Sequence, residues 1–376
     1  MKIPVFTVIF ALLSAALHAQ ENIIHIDLND QADRQVVVDR EQGQYLGHPT
    51  TVLLEDGQTM LCVYPKGHGK GGIVYKRSDD GGLTWSDRLP TPDSWSTSRE
   101  VPTLHRVIDA QGNKRIIMFS GLYPARMAVT EDDGVSWSEL EQVGDWGGIV
   151  VMGCVIALQS GPGHYMAMFH DDGRFIADQP RQDEVRTFTL YKTLSTDGGL
   201  TWSDPEAVHR SSEKHICEPG VFRSPDGGRL AVLLRENSRR KNSQIIFSDD
   251  EGATWTEPRP MSDPLNGDRH AGVYLPDGRL FISFRKRSPS PKQSAYEGDW
   301  VAWIGTWQDL VDGGSGQYLV RLRDNHKDYD CAYPGVEILD DGTVVTTTYG
   351  HWDAGESPYI LSVRITARDL DELADR

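Results

Sequence analysis

Histidine, arginine and carboxylate residues recur in this chain as short clusters at the ends of apolar runs, and their types define the chemistry open to it. His48, in Tyr45-Leu46-Gly47-His48-Pro49, and His68, in Lys66-Gly67-His68-Gly69-Lys70, titrate near neutrality and are candidate proton donors that Lys66 or Lys70 can tune. Each also reads as a structural hydrogen bond at a strand end. Asp171 and Asp172, in Phe169-His170-Asp171-Asp172-Gly173-Arg174, are the carboxylate alternatives, and the same pair reads equally as a solvated turn. Arg99, Arg126, Arg235 and Arg285 can grip a carboxylate or sulfate through paired N–H donors. Trp146 and Trp352 offer faces on which a sugar can stack, or simply buried indoles.

Residues so scattered act together only if the fold returns each of them to one place, and two periodicities do this. Four segments share Ser/Thr-x-Asp-x-Gly-x-Thr/Ser-Trp or a close variant: Ser78–Trp85, Thr130–Trp137, Ser195–Trp202 and Ser248–Trp255. Their starts lie about 50 to 65 residues apart, the length of a four-stranded propeller blade with its loops. In each, the Asp accepts backbone N–H groups, Gly supplies a positive φ and Trp packs between sheets. Calcium binding is the weaker alternative, because the ligand spacing is not that of an EF-hand. Hairpin turns recur at Asp56-Gly57, Gln111-Gly112, Gly161-Pro162-Gly163, Asp226-Gly227, Asp277-Gly278 and Asp341-Gly342. Six turns at blade spacing predict an all-β, six-bladed β-propeller in which the last two units lack the box.

Composition narrows the partners. The 376 residues carry 38 Lys and Arg against 55 Asp and Glu, a net charge of −17. That balance argues against nucleic acid, which needs clustered positive charge. Residues 1–19 begin with Lys2, run apolar from Val5 to Leu17 and reach Ala19, the pattern of a secretory signal peptide. One propeller domain is expected over residues 20–376, with no membrane span after cleavage and a secreted or periplasmic destination. Cys62, Cys154, Cys217 and Cys331 lie far apart in apolar runs and read as buried thiols rather than a disulfide framework or a zinc site. No metal and no cofactor are called for.

In a propeller, chemistry gathers where the inner strands begin and where the second strands return. Those positions hold the segments Tyr45–Pro49, Arg99–Pro102, Asp145-Trp146, His215–Glu218, Asp268–His270 and Asp330–Tyr333, and Lys66–Lys70, Tyr123–Arg126, His170–Asp172, Arg235–Asn237, Arg285–Arg287 and Tyr349–Trp352. A net-acidic chain that concentrates cations at one mouth is equipped for an anion. The boxes and the six units resemble the sialidase superfamily over nearly the whole chain after residue 19. The resemblance implies that Tyr333 is the nucleophile, that Glu218 takes its proton, and that Arg235 binds substrate. A phenol is a poor nucleophile near neutrality without such a carboxylate, and sialidases are the tyrosine exception among glycosidases.

Two departures stand beside those matches. The family's first-blade arginine is replaced by Leu46 and His48, and its acid/base aspartate position falls in Lys66–Lys70, which holds no acid. Three functions remain as expectations. The first is an exo-acting glycoside hydrolase removing an acidic terminal sugar. The second is a lyase that uses His and Tyr for β-elimination on uronic acid-containing polysaccharide. The third is a non-catalytic glycan-binding propeller.

Overall fold

The structure is a computed structural model that describes residues 23–176, 186–289 and 296–376. Six sheets, antiparallel except for one added strand, stand around one axis, so the chain forms the all-β, six-bladed propeller that its repeats predict. The inner strands are Thr50–Leu53, Pro102–Ile108, Ile149–Ala157, Ile216–Arg223, Gly267–Tyr274 and Gly335–Ile338, in blades one to six. Each packs against the next, and the sixth packs against the first, which closes the ring. All six predicted turns join an inner strand to the second strand of its blade. Gly57, Gly112, Gly163, Gly227, Gly278 and Gly342 supply the positive φ at those turns.

The four boxes come after the third strands of blades one to four. In the third, Asp197 Oδ1 accepts from the Leu200 and Thr201 amides at 3.0 Å, and Oδ2 accepts the Thr201 hydroxyl at 2.6 Å. The carboxylate thus substitutes for backbone acceptors at a sharp turn, which is why Asp recurs there. In blades five and six, short helices Trp307–Asp312 and Ala367–Ala374 take the place of the box. Both open on a reciprocal cap, Thr306 with Asp309 and Thr366 with Asp369.

Every adjacent pair of blades buries its own apolar cluster, because each strand sends alternate side chains to opposite faces of its sheet. The beginning of the described chain laces the end of it. Ile24–Asp27 pairs parallel with Tyr318–Arg323 in blade five, and Gln35–Asp39 forms the outer strand of blade six against Tyr359–Ile365. Glu337 of the last blade accepts the Thr51 hydroxyl and the Leu53 amide of the first. All four cysteines are free and buried. Among the described residues no helix is long and apolar enough to cross a membrane, and the expected signal segment lies outside them.

Candidate active site

Several inner strands begin with a residue in left-handed backbone: His48 (φ 53°), Val150 (φ 51°), Glu218 (φ 51°), Arg269 (φ 57°) and Ala332 (φ 56°). Such a conformation disfavours a side chain with a Cβ by roughly 1–2 kcal/mol. In blades three, four and five it coincides with a bulge that shifts the strand register. Bulges re-aim side chains; Glu218 at the blade-four bulge and His48 from blade one, across the ring closure, both end against Tyr333 of blade six.

The Tyr333 hydroxyl donates to Glu218 Oε1 at 2.5 Å, and Arg235 Nη1 reaches that same oxygen at 2.5 Å and the Tyr333 oxygen at 3.2 Å. Asp268, fully buried, holds the surrounding arginines: Arg285 at 2.7 Å, Arg235 at 3.3 Å and Arg239. Burial alone would raise the Glu218 carboxyl, but the Arg235 charge and the Tyr333 hydrogen bond carry it below its ordinary value. Burial and the Glu218 charge push the Tyr333 phenol up, against the opposing pull of Arg235 and Arg285. The resting pair is therefore a neutral phenol donating to a carboxylate, with the acceptor for the phenol proton already in contact.

His48 packs its ring 4.4 Å from that of Tyr333 and stacks on Tyr349. Its Nδ1 accepts the Gly69 amide at 3.1 Å, which puts the ring proton on Nε2, 3.2 Å from the Tyr349 oxygen. Burial holds it well below the usual histidine range, so it is neutral. His68 is exposed at the rim, its Nδ1 2.7 Å from the Tyr45 oxygen. The Tyr45 hydroxyl donates to Asp330 Oδ1 at 2.6 Å, and His351 meets Asp330 Oδ2 at 3.0 Å. A chain of polar rings thus leads from Tyr333 through His48 and Tyr349 to Asp330, Tyr45 and His68.

The other candidates divide. Arg285 is buried at the hub, tied to Asp268 and to the carbonyl of Cys331. Lys66 pairs with Glu41 at 3.0 Å. Arg126 reaches the hydroxyl and carbonyl of Thr97, and Arg99 is exposed beside it. Asp171 does not face the cleft. Its Oδ2 accepts the Gly173 and Phe175 amides, so it braces a turn, while neighbouring Asp172 lines the cleft and pairs with Arg174 at 2.6 Å. Trp146 is a core residue stacked on Phe169, and Trp352 is wholly buried against Trp300, so neither offers a free face to a sugar.

A cleft of about 300 Å³ opens beside the hub, lined by His170, Asp172, Arg174, Glu218, Arg235 and Asn237 among others. Glu100 stands within electrostatic reach of Glu218 and His68, and burial and the Glu218 charge push its carboxyl up to about 7 against the pull of the Val101 amide. Arg99 was the candidate where the inward residue is Glu100, and of the two carboxylates Asp171 and Asp172 it is Asp172 that lines the cleft. Sequence reasoning also passed over Asp268, Arg269, Asp330, Tyr45 and Tyr349. All of these stand in the segments singled out, and the missing signal was which of two neighbours the strand turns inward.

Residues 119–345 match the model of a family described as BNR repeat-like domain. The sialidase of Micromonospora viridifaciens is 25% identical over 252 residues, which is 61% of this chain and 35% of that protein. The chain spans 35% or less of the length of each curated relative compared. A crystal structure of a protein of unknown function from Dyadobacter fermentans superposes with a TM-score of 0.69 at 18% identity, covering 88% of this chain and 97% of that one. The intramolecular trans-sialidase from Ruminococcus gnavus, in complex with oseltamivir carboxylate, gives 0.60 at 13% identity, covering 87% and 95%. These two likenesses concern the fold.

Proposed function

The chain belongs to the BNR repeat-like domain family, and on that premise we propose that it is a glycoside hydrolase removing an acidic terminal sugar from a glycan. The observation that carries this reading is the Tyr333 hydroxyl donating to Glu218 at 2.5 Å with Arg235 against both oxygens. As the Tyr333 oxygen bonds to the anomeric carbon, its proton passes to Glu218 and the glycosidic C–O bond breaks. Arg235 steadies the negative charge on whichever oxygen carries it. An uncharged nucleophile also avoids the repulsion that a carboxylate would meet from an acidic sugar. The leaving oxygen takes its proton from Glu100, whose carboxyl keeps it up to about pH 7. The same group then draws a proton from the water that releases the sugar. His68 is the alternative donor, tied to Tyr45 and Asp330. Export directed by residues 1–19 and an acidic oligosaccharide or polysaccharide as partner belong to the same proposal.

A specific contact favours a second reading. Tyr45, His68 and Asp330 join a tyrosine, a histidine and a carboxylate within hydrogen-bonding reach, the equipment for removing a proton α to a uronate carboxylate. Acidic oligosaccharides incubated with the protein separate the two. Reducing ends without new ultraviolet absorbance support the hydrolase, absorbance from a conjugated double bond supports the lyase, and binding with neither signal leaves a glycan-binding propeller.

A further inference from the structure

One cation at the hub has no carboxylate partner among the described residues. Arg235, Arg239 and Arg285 converge on Asp268 and Glu218. Arg269 is the exception. It is 7% exposed, its Nη1 is buried without a partner, and no hydrogen bond or ion pair to it occurs among the described residues. Asp330, the next carboxylate along, is taken by Tyr45, Tyr349 and His351, so Arg269 has no carboxylate of its own. The nearby rings of His48, His105 and His170 are held below the usual histidine range by burial and add no further positive charge.

Arg269 also stands in a telling place. It occupies in blade five the position that Glu218 occupies in blade four: each comes directly after a residue paired with an arginine of the second strand, Asp268 with Arg285 and Cys217 with Arg235. Each has the same left-handed backbone. The Arg269 guanidinium lies 5.9 Å from the centre of the Tyr333 ring in blade six. Its charge is felt by His48, His105 and His170 of blades one, two and three. A side chain from blade five reaches all of these only by pointing at the axis. A guanidinium cannot shed its proton, and burying it unpaired is costly. Its planar fork suits a carboxylate or sulfate. Arg235 and Arg285, by contrast, already have carboxylate partners inside the protein.

We propose that Arg269 is the binding site for a carboxylate or sulfate group seated on the axis beside Tyr333, carried by a bound acidic sugar or present as a free anion. The acidic-sugar form rests on the glycan-directed function proposed above; the site itself does not.

Calorimetric titration of the full chain with acetate, sulfate and glucuronate, repeated on Arg269→Met and Arg269→Lys, tests it. Saturable binding to the unaltered protein is expected, weakened at least tenfold in Arg269→Met and less in Arg269→Lys, which keeps the charge without the fork. Displacement of acetate by glucuronate assigns the site to the sugar's own acid group, and saturation by acetate or sulfate alone assigns it to a free ion. Both support the site. Absence of saturable binding by the unaltered protein overturns it with no variant required, and so does undiminished binding by a folded Arg269→Met. Binding intact without turnover of any glycan would instead fault the hydrolase function and leave Arg269 standing.

Discussion

Replacing Tyr333 with Phe removes one oxygen from the hub, and the contacts of that oxygen set the size of the effect. The phenol donates to Glu218 Oε1 at 2.5 Å and receives Arg235 Nη1 at 3.2 Å. With the hydroxyl gone, Glu218 Oε1 still holds Arg235 Nη1 at 2.5 Å and Arg235 still meets Asp268 at 3.3 Å, so no charge is stranded. The losses are the hydrogen bond to the Glu218 carboxylate, about 1.5–3 kcal/mol, and the longer one received from Arg235, which keeps its carboxylate partners. Thermal unfolding should therefore fall by several degrees with the circular dichroism of the folded protein unchanged. Turnover should fall far more. A nucleophile removed outright typically costs about 10³-fold or more in kcat, or about 4 kcal/mol of barrier at 1.36 kcal/mol per decade. The assay is kcat on an acidic-sugar substrate found among the oligosaccharides, for Tyr333→Phe, Glu218→Gln and the double variant. Because the two side chains act on one proton, the double variant should be little worse than Tyr333→Phe alone. A Tyr333→Phe protein within about threefold of the original kcat would refute the nucleophile assignment, and losses that multiply in the double variant would refute the shared proton.

Glu100 gives a pH signature, since its folded carboxyl is raised from 4.5 to about 7. The unfolded chain loses this proton first, so Glu100 should lower stability as pH rises from about 4.5 to about 7, by up to about 3 kcal/mol. Urea unfolding across that window should show a smaller fall in Glu100→Gln, leaving the part due to Glu337 and Asp299, which burial also raises to about 7. In kcat, the same substitution should remove an alkaline limb near pH 7 and cost about 10²–10⁴-fold; an unchanged profile would transfer the donor role to His68. Asp268→Asn should leave Arg235, Arg239 and Arg285 without their shared buried counter-charge and cost about 3–5 kcal/mol, read as a lowered unfolding midpoint. An unchanged midpoint would mean that the arginines do not depend on it.

The architecture was legible because it is written locally. A turn needing Gly at positive φ, or an Asp accepting amides four residues on, is decided within one stretch of chain, and repetition turns weak local signals into a strong one. Blades five and six were harder, since Thr306–Asp309 and Thr366–Asp369 solve the same corner with a helix cap and share little spelling with the box. The lacing of the ring by Ile24–Asp27 and Gln35–Asp39 was not legible either, because strand partners roughly 300 residues apart leave no periodic trace.

The site divides along the same line. Sequence alone determined that the chain repeats a four-stranded unit around a ring, that cations gather in its loops, and that a tyrosine and a glutamate stand at matching strand starts. Only the tertiary structure decided which neighbour turns inward: Glu100 rather than Arg99, Asp172 rather than Asp171, and Arg269 as well as Arg285. The reason is physical. At Glu218 and Arg269 a bulge with left-handed backbone breaks the alternation of the strand, and at every inward position the charge state depends on burial and on partners from other blades. Neither quantity is a property of a residue and its neighbours in the chain.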